Sequence, residues 1–389
     1  MQELFWLLLP VAAASGWLVA RKSGYKDKED VKSFDLGSGY FKGLNYLLNE
    51  EPDKAIEVFI EMVEIDDETV ETHLALGSLF RRRGEVDRAI RIHQNLIARP
   101  TLSQEQRSHA IYELGEDYMK AGLLDRAENL FQELIAIDSH LASSLQHLIT
   151  IYQQEQDWEK AIDTCYLYEK ASGEKCFDVM AQYCCEMAER AMHDGNQQEL
   201  DECLKHAFKF DKNCVRASIL SGRREQKAGD CIKAIQHYEN VINQDVDYLP
   251  EVVSSVQTCY QNLDKEPEML LFLDRVMSHY NGVTPMLFKA DQLLSNGHDR
   301  EAVEFMVQQL RSKPSVRGLQ WLIEANLDRS EGKAKQNLII LHDLIDSLLK
   351  DKPVYECLQC GFNGKSLHWQ CPRCKQWNCV KPIKGVEAE

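Results

Sequence analysis

Hydrophobic and polar positions follow two patterns along this chain, a continuous apolar stretch at the start and a helical periodicity after it. Residues 4–20 form a run of seventeen without a charged side chain, which spans roughly 25 Å as an α-helix. The periodic part then recurs with a spacing of about 34 residues. These patterns predict a transmembrane anchor over residues 1–22, a linker over 23–34 and paired helices over 35–350.

The charges around the apolar run indicate how the anchor is oriented. A cleaved secretory signal carries positive charge before its apolar core, whereas this chain begins Met1-Gln2-Glu3 and places Arg21 and Lys22 after the run. The positive-inside rule assigns the C-terminal side to the cytoplasm. We therefore predict an uncleaved single-pass anchor with the bulk of the chain on the cytoplasmic side, and a cleaved signal peptide is the alternative.

The periodic part is marked by an alanine that opens the second helix of each predicted pair. Successive alanines lie 34, 38, 34, 73 and 68 residues apart, and degenerate copies at Leu200 and Met269 fill the two double gaps. The alanines are Ala55, Ala89, Ala127, Ala161, Ala234 and Ala302. Small residues at this slot allow the two helices of a hairpin to approach closely.

A matching first helix precedes these alanines. Gly43, Gly77 and Gly115 stand twelve residues before Ala55, Ala89 and Ala127, and an aromatic residue follows each glycine three positions later. This arrangement resembles the tetratricopeptide repeat. The resemblance implies an all-α fold, a superhelical solenoid of about eight to nine helical hairpins whose surface binds a peptide or a partner helix.

Composition narrows the class of protein further. The formal net charge is −17 and the pI is near 5.2, so nucleic acid is not an expected partner. Nine of the thirteen cysteines are scattered, which indicates a reducing compartment where they act as small buried apolar residues. The basic triple Arg81-Arg82-Arg83 is interpreted as a solvated face, with a seat for an acidic partner segment as the alternative.

Four cysteines near the end of the chain carry the clearest chemistry. Cys357 and Cys360 form one Cys-x-x-Cys pair, Cys371 and Cys374 form another, and ten residues separate the pairs. Four converging thiolates bind Zn²⁺ or a single iron ion, and a redox dithiol is the alternative. We predict a metal-binding domain over residues 351–389, and Cys379, which lies outside the pairs, is interpreted as a spare thiol.

The style of the two pairs, with Gly361 after the first and Pro372 inside the second, resembles rubredoxin. The resemblance implies one iron ion, with zinc as the alternative, although the short loop between the pairs favours a structural role over electron transfer. Between residues 353 and 384 there are five basic side chains against one acidic side chain. We therefore expect this ribbon to pack against the acidic repeats.

An anchor, helical repeats and a rubredoxin-like end in this order resemble the bacterial lipopolysaccharide assembly protein B family over the whole chain. The resemblance implies an inner-membrane adaptor that promotes degradation of the lipid A pathway deacetylase by a membrane-bound AAA metalloprotease. Other lipopolysaccharide synthesis or transport proteins are further implied partners. A redox- or iron-sensing interaction protein and a generic membrane-tethered scaffold are the alternatives. The sequence contains no nucleotide-binding, zinc-protease or serine-hydrolase motif, so we do not expect an enzyme.

Overall fold

A computed structural model describes residues 39, 41–49, 51–65, 70–327 and 329–386. The predicted anchor over residues 1–22 and the linker over 23–34 lie outside this part of the chain. Within the described residues, every helix falls short of the length or the apolar character that crossing a membrane requires.

Paired helices make up nearly all of the described chain. The first is α1 over residues 41–48, and a single 3₁₀ turn, η1 (Val246–Tyr248), precedes α13. The other helices are α2 (Pro52–Ile65), α3 (Val70–Arg83), α4 (Val86–Ile97), α5 (Gln104–Ala121), α6 (Leu124–Ala136), α7 (Leu141–Glu155), α8 (Trp158–Ser172), α9 (Phe177–Asp194), α10 (Gln197–Phe210), α11 (Val215–Lys227), α12 (Cys231–Gln244), α13 (Pro250–Asn262), α14 (Glu266–His279), α15 (Thr284–Ser295), α16 (Asp299–Ser312), α17 (Val316–Leu327) and α18 (Gly332–Leu349).

The chain divides into two compact units, and helix α8 contributes to both. The first unit holds the described residues up to Asp157 together with Tyr166–Gly173, and the second holds Trp158–Cys165 and the described residues from Glu174 onward. Each unit has its own apolar core. Ala55, Phe59 and Phe80 lie in a core of the first unit, and the second unit contains the C-terminal ribbon.

The marker alanines all occupy the same position in their helices. Each of the six marker alanines is the fourth residue of its helix and is fully buried. Leu200 and Met269, the predicted degenerate copies, are also the fourth residues of α10 and α14 and are 1 % exposed. The repeat register predicted from the sequence is therefore confirmed, including the two copies that lack an alanine.

The glycine slot is a place of close approach between the two helices of a hairpin. A Cβ atom added to Gly115 would lie 2.8 Å from the ring of Phe131, and one added to Gly43 would lie 2.6 Å from the ring of Phe59. A Cβ atom added to Gly222 would meet the ring of Tyr238 in the same way. Gly222 is not among the glycines predicted from the sequence. The pattern expects an aromatic residue three positions after the glycine, and this chain has Glu225 there.

Replacing Gly115 with alanine will destabilise the first unit. The ring of Phe131 is fully buried and has little room to move away from an added methyl group. Overpacking of this kind costs about 1–3 kcal/mol, and the better helix propensity of alanine offsets about 1 kcal/mol of it. We expect a net loss of about 1 kcal/mol in the free energy of unfolding, measured by urea denaturation.

Two further variants test the cause of that loss. Gly385→Ala, at a glycine with open space around it and an ordinary backbone conformation, should change the unfolding free energy by less than about 0.5 kcal/mol. Phe131→Leu removes the ring and should make Gly115→Ala neutral or favourable in that background. A Gly115→Ala cost that is unchanged by Phe131→Leu would show that the close approach is not its source.

A buried ionic network joins α3 to α5 in the first unit. Arg81 donates hydrogen bonds to Glu113 at 2.7 Å and to Glu116 at 2.6 Å. It also donates to Asp117 at 2.7 Å, and the other carboxylate oxygen of Asp117 lies 2.5 Å from His93 Nδ1. Asp117 and His93 are fully buried. Burial lowers the pKa of Arg81, but its hydrogen bonds with Asp117 and Glu113 outweigh this and raise it.

This network corrects the interpretation of the basic triple. Arg82 is exposed and Arg83 is half exposed, with Arg83 paired to Asp53 at 3.0 Å. Arg81 does not belong to a solvated face, because its side chain is only 14 % exposed and binds acidic groups 32 to 36 residues further along. These partners come from the next repeat, so only the stacking of neighbouring hairpins brings them to Arg81.

The C-terminal ribbon is a small antiparallel sheet. Its strands are β1 (Tyr355–Cys357), β2 (Asn363–Gly364) and β3 (Val380–Pro382), arranged in the order β2-β1-β3. Tyr355 pairs with Gly364 on one side, and Cys357 pairs with Val380 on the other. The sheet therefore brings the segment just before β3 next to the first cysteine pair.

Candidate metal centre and its contacts with the repeats

Both cysteine pairs fold into the same kind of turn. The N–H of Gly361 donates to the carbonyl of Cys357, and the N–H of Lys375 donates to the carbonyl of Cys371, each at 2.9 Å. Gly361 and Lys375 both have left-handed backbones, with φ of 67° and 61°. Glycine adopts this backbone without strain, and the second turn places a lysine at the corresponding position.

These two turns bring the four predicted ligands together. Cys357 Sγ lies 3.7 Å from Cys374 Sγ, and Cys360 Sγ lies 3.6 Å from Cys371 Sγ. A tetrahedral metal with sulfur ligands at 2.3 Å separates neighbouring sulfurs by about 3.8 Å. Both separations therefore match neighbouring ligands of one tetrahedral metal ion. Cys357, Cys360, Cys371 and Cys374 remain the predicted ligands.

Cys379, which lies outside the two pairs in the sequence, lies next to them in the fold. The Sγ atoms of Cys357, Cys371, Cys374 and Cys379 all lie within 4.8 Å of one another. Cys379 Sγ is 3.5 Å from Cys357 Sγ. The pairing of β3 with β1 causes this, and a pairing between segments more than twenty residues apart cannot be read from Cys-x-x-Cys spacing alone. Four sulfurs thus form one close group, and the Sγ of Cys360 lies beside it, 3.6 Å from that of Cys371.

The backbone around Cys357 prepares its sulfur for metal binding. Burial raises the pKa of this thiol, but the N–H groups of Cys360 and Gln359 hydrogen-bond to its sulfur and outweigh burial, so that the pKa falls to about 6. A thiolate is the form that binds metal. Cys357 is 1 % exposed and Cys371 is fully buried, so these two sulfurs lie deep in the ribbon.

Tyr248 is the main contact of the second unit's repeats with the ribbon. This residue is 2 % exposed at the end of η1. Its hydroxyl donates to the carbonyl groups of Asn378 and Val380, at 3.3 and 3.2 Å. Its ring lies 4.9 Å from that of Trp369. The side chain thus contacts the loop before the second cysteine pair and the residues on both sides of Cys379.

Ion pairs surround this contact. Lys381 on β3 pairs with Asp245 and lies over the ring of Tyr248, with Nζ 3.9 Å from its centroid. Lys384 pairs with Asp247 at 2.5 Å. The Tyr355 hydroxyl donates to Glu251 at 2.5 Å. The basic side chains of the ribbon therefore meet acidic side chains next to η1, and the predicted packing of ribbon against repeats is confirmed.

Aromatic contacts extend the interface along α8, α9 and α11. Trp377 meets the rings of Trp158 and Tyr183 edge-on, at 6.2 and 5.9 Å. The guanidinium of Arg216, which is 2 % exposed, lies 5.6 Å from the ring of Trp369. Cation–π contacts of desolvated arginine are among the stronger ones. The ribbon is therefore an integral part of the second unit.

Reversing the charge of Asp245 will loosen the ribbon. An Asp245→Lys variant faces Lys381, whose side chain is only 11 % exposed, and like charges at such a site repel. We expect amide hydrogen exchange in β3 to speed up by about tenfold or more, corresponding to roughly 1.4 kcal/mol. Asp245→Lys combined with Lys381→Asp should restore protection, and a double variant as loose as the single one would contradict the assigned pairing.

Comparison with protein families agrees with the division of the chain into helical repeats and a C-terminal ribbon. The family described as "Rubredoxin metal binding domain" matches residues 355–382, and a tetratricopeptide repeat family matches residues 72–106. Among solved structures, a tetratricopeptide repeat protein from Parabacteroides merdae aligns with 80 % of this chain and 98 % of its own, at 12 % identity and a TM-score of 0.35. That overlap is too loose to support a conclusion, so the repeat assignment rests on the family match and the register of the helices.

Full-length relatives are more informative. Lipopolysaccharide assembly protein B of Escherichia coli K12 is 40 % identical over 388 residues, covering 100 % of both chains. The protein of the same name in Haemophilus influenzae is 35 % identical over 400 residues, again covering 100 % of both. The repeats and the cysteine ribbon of this chain thus lie inside one continuous alignment. The chain belongs to the lipopolysaccharide assembly protein B family.

Proposed function

We propose that this protein is an inner-membrane adaptor that regulates lipopolysaccharide synthesis. In this role the chain brings the lipid A pathway deacetylase to a membrane-bound AAA metalloprotease and promotes its degradation. The observation that carries the proposal is the full-length identity of 40 % to a protein named for lipopolysaccharide assembly. A repeat solenoid with a metal ribbon packed on it suits a binding protein, and the role proposed here is not catalytic.

The proposed mechanism depends on tethering. The apolar run over residues 4–20 would hold the repeats at the cytoplasmic face of the inner membrane. A client bound to the repeats is then confined near the membrane protease, which raises its effective concentration there. Exposed surfaces of stacked hairpins are the usual places where solenoids bind partners, and other lipopolysaccharide synthesis or transport proteins are additional candidate partners.

The metal has a structural role in this proposal. A four-thiolate site leaves no open coordination position for a substrate. We propose one iron ion, following the rubredoxin resemblance, and metal analysis of the purified protein distinguishes iron from zinc. Holding the ribbon folded keeps Lys381, Lys384 and Trp377 in place against the repeat residues of the second unit.

Crosslinked affinity capture from native membranes tests the proposal. Three forms are compared: the intact chain, a form without residues 1–22, and Cys371→Ser. The intact chain should enrich both the protease and the deacetylase. The shortened form should lose the protease, because it is no longer confined to the membrane. Cys371→Ser should no longer capture whichever of the two proteins, the protease or the deacetylase, binds through the folded ribbon.

Two outcomes would contradict the proposal in different ways. If the intact chain captures neither protein, the adaptor role is wrong. If all three forms capture both proteins equally, the repeats alone bind them, and neither the anchor nor the ribbon has the role assigned here. A control with Arg82→Met, at an exposed arginine of α3, should behave like the intact chain.

A further inference from the structure

We propose that Cys379 is a fifth metal-binding thiol that can take the place of Cys360. The ribbon would then hold its metal through either of two four-sulfur sets that share Cys357, Cys371 and Cys374. The first observation is distance. Cys379 Sγ lies within 4.8 Å of all three shared sulfurs, and the 3.5 Å to Cys357 is close to the separation of ligands on one metal.

The second observation is that backbone hydrogen bonds hold Cys379 in place. Its carbonyl accepts a hydrogen bond of 2.8 Å from the N–H of Leu358, which lies next to Cys357 in the first turn. On either side of it, the carbonyl groups of Asn378 and Val380 accept from the buried hydroxyl of Tyr248. Cys379 is therefore positioned by the sheet and by the repeats, and its sulfur has a fixed place beside the site.

The third observation identifies Cys360 as the exchangeable ligand. Cys357 and Cys371 are at most 1 % exposed and Cys379 is 7 % exposed, whereas Cys360 is only partly buried. Cys360 is also the last cysteine of the first turn, followed by the flexible residue Gly361 with φ of 67°. Cys374 is also only partly buried, but its Sγ belongs to the group of four mutually close sulfurs that contains Cys379, whereas the Sγ of Cys360 does not. Cys360 is therefore the ligand that Cys379 can replace.

The exchange balances in charge and in bonds. The metal–sulfur bond to Cys360 breaks, the bond to Cys379 forms, and one proton moves from the Cys379 thiol to the Cys360 thiolate. The Cys379 Sγ–H donates to the carbonyl of Gln376 at 3.2 Å, and this hydrogen bond is given up when the sulfur binds the metal. No oxidant or reductant is needed, and four thiolates surround the metal in both states.

Cobalt substitution in the full-length protein tests the exchange. Co²⁺ replaces the resident metal, and its sulfur-to-cobalt charge-transfer absorption reports the number of bound thiolates. Cys360→Ala and Cys379→Ala should each keep the intensity of the unmodified protein, because alanine cannot bind and the other cysteine fills the position. The double variant should lose about a quarter of the intensity, since only three thiolates remain.

Three results would overturn the proposal. If Cys360→Ala alone falls to the three-thiolate intensity, Cys379 does not replace it. If Cys379→Ala loses a thiolate, Cys360 does not fill the position. If the double variant keeps full intensity, Cys379 is not part of the site. Hydrogen exchange in β1 and β3 checks that each variant is folded.

Discussion

Replacing Cys371 with serine will unfold the ribbon and leave the repeat helices folded. A module of about thirty residues buries too little apolar surface to fold alone, and structural thiolate sites contribute on the order of 10 kcal/mol of folding free energy. Cys371 is fully buried within the sulfur cluster. We expect residues 355–382 to lose hydrogen-exchange protection almost completely, while α9 to α12 keep most of theirs. Removal of the metal from the unmodified protein by a chelator should give the same result.

A matched cysteine outside the cluster separates this effect from the loss of any buried thiol. Cys203 on α10 is 6 % exposed and packs in the apolar core of the second unit. Cys203→Ser should cost about 1 kcal/mol locally and leave the protection of the ribbon unchanged. Full protection of residues 355–382 in metal-free protein would show that the metal does not organise this domain.

Replacing Arg81 with methionine will destabilise the first unit by about 3 kcal/mol. Methionine keeps the apolar stem and removes the charge, which leaves three carboxylates facing one another with their cation gone. Breaking a buried ion pair on one side costs about 3–5 kcal/mol, and the 14 % exposure of Arg81 places the expected value at the low end. Hydrogen exchange of the amides in α3 and α5 measures this loss where it occurs.

The neighbouring arginine is a direct control for that variant. Arg82 follows on the same helix, is exposed, and changes charge by the same amount when replaced with methionine. We expect Arg82→Met to shift the local free energy of opening by less than about 0.5 kcal/mol. Equal effects of the two variants would mean that net charge, and not the network with Asp117, determines the stability of this unit.

The repeat register could be predicted because it depends on short-range spacing. Alanine at the fourth position of six helices, and glycine twelve residues before four of these alanines, are local consequences of two helices in close contact. The same logic located Leu200 and Met269, where larger apolar residues occupy the slot. Gly222 was missed because its repeat keeps the glycine and the opposing Tyr238 but lacks the neighbouring aromatic residue.

The metal centre could be predicted only in part, for a similar reason. Two Cys-x-x-Cys pairs identify a thiolate site from sequence alone, and both turns have the expected geometry. Cys379 depends on the pairing of β3 with β1, and Tyr248 reaches the ribbon from about 130 residues away. Contacts of this range depend on the complete fold, which also explains why the partners of Arg81 were not anticipated.

The contacts of the ribbon connect its metal to the proposed adaptor role. Tyr248, Lys381 and Trp377 join the sulfur cluster to helices of the second unit. When the metal leaves and the ribbon unfolds, these contacts are broken. The helices next to η1 then become exposed. We therefore expect metal loss to change partner binding even though the metal touches no partner in the proposed mechanism.

The lifetime of the lipid A deacetylase in cells tests the central claim most directly. The chain is depleted, protein synthesis is stopped, and the decay of the deacetylase is followed with and without re-expression of the intact chain. Depletion should lengthen the half-life several-fold, and re-expression should shorten it only where the membrane protease is present. A half-life that is the same with and without the chain would contradict the adaptor function.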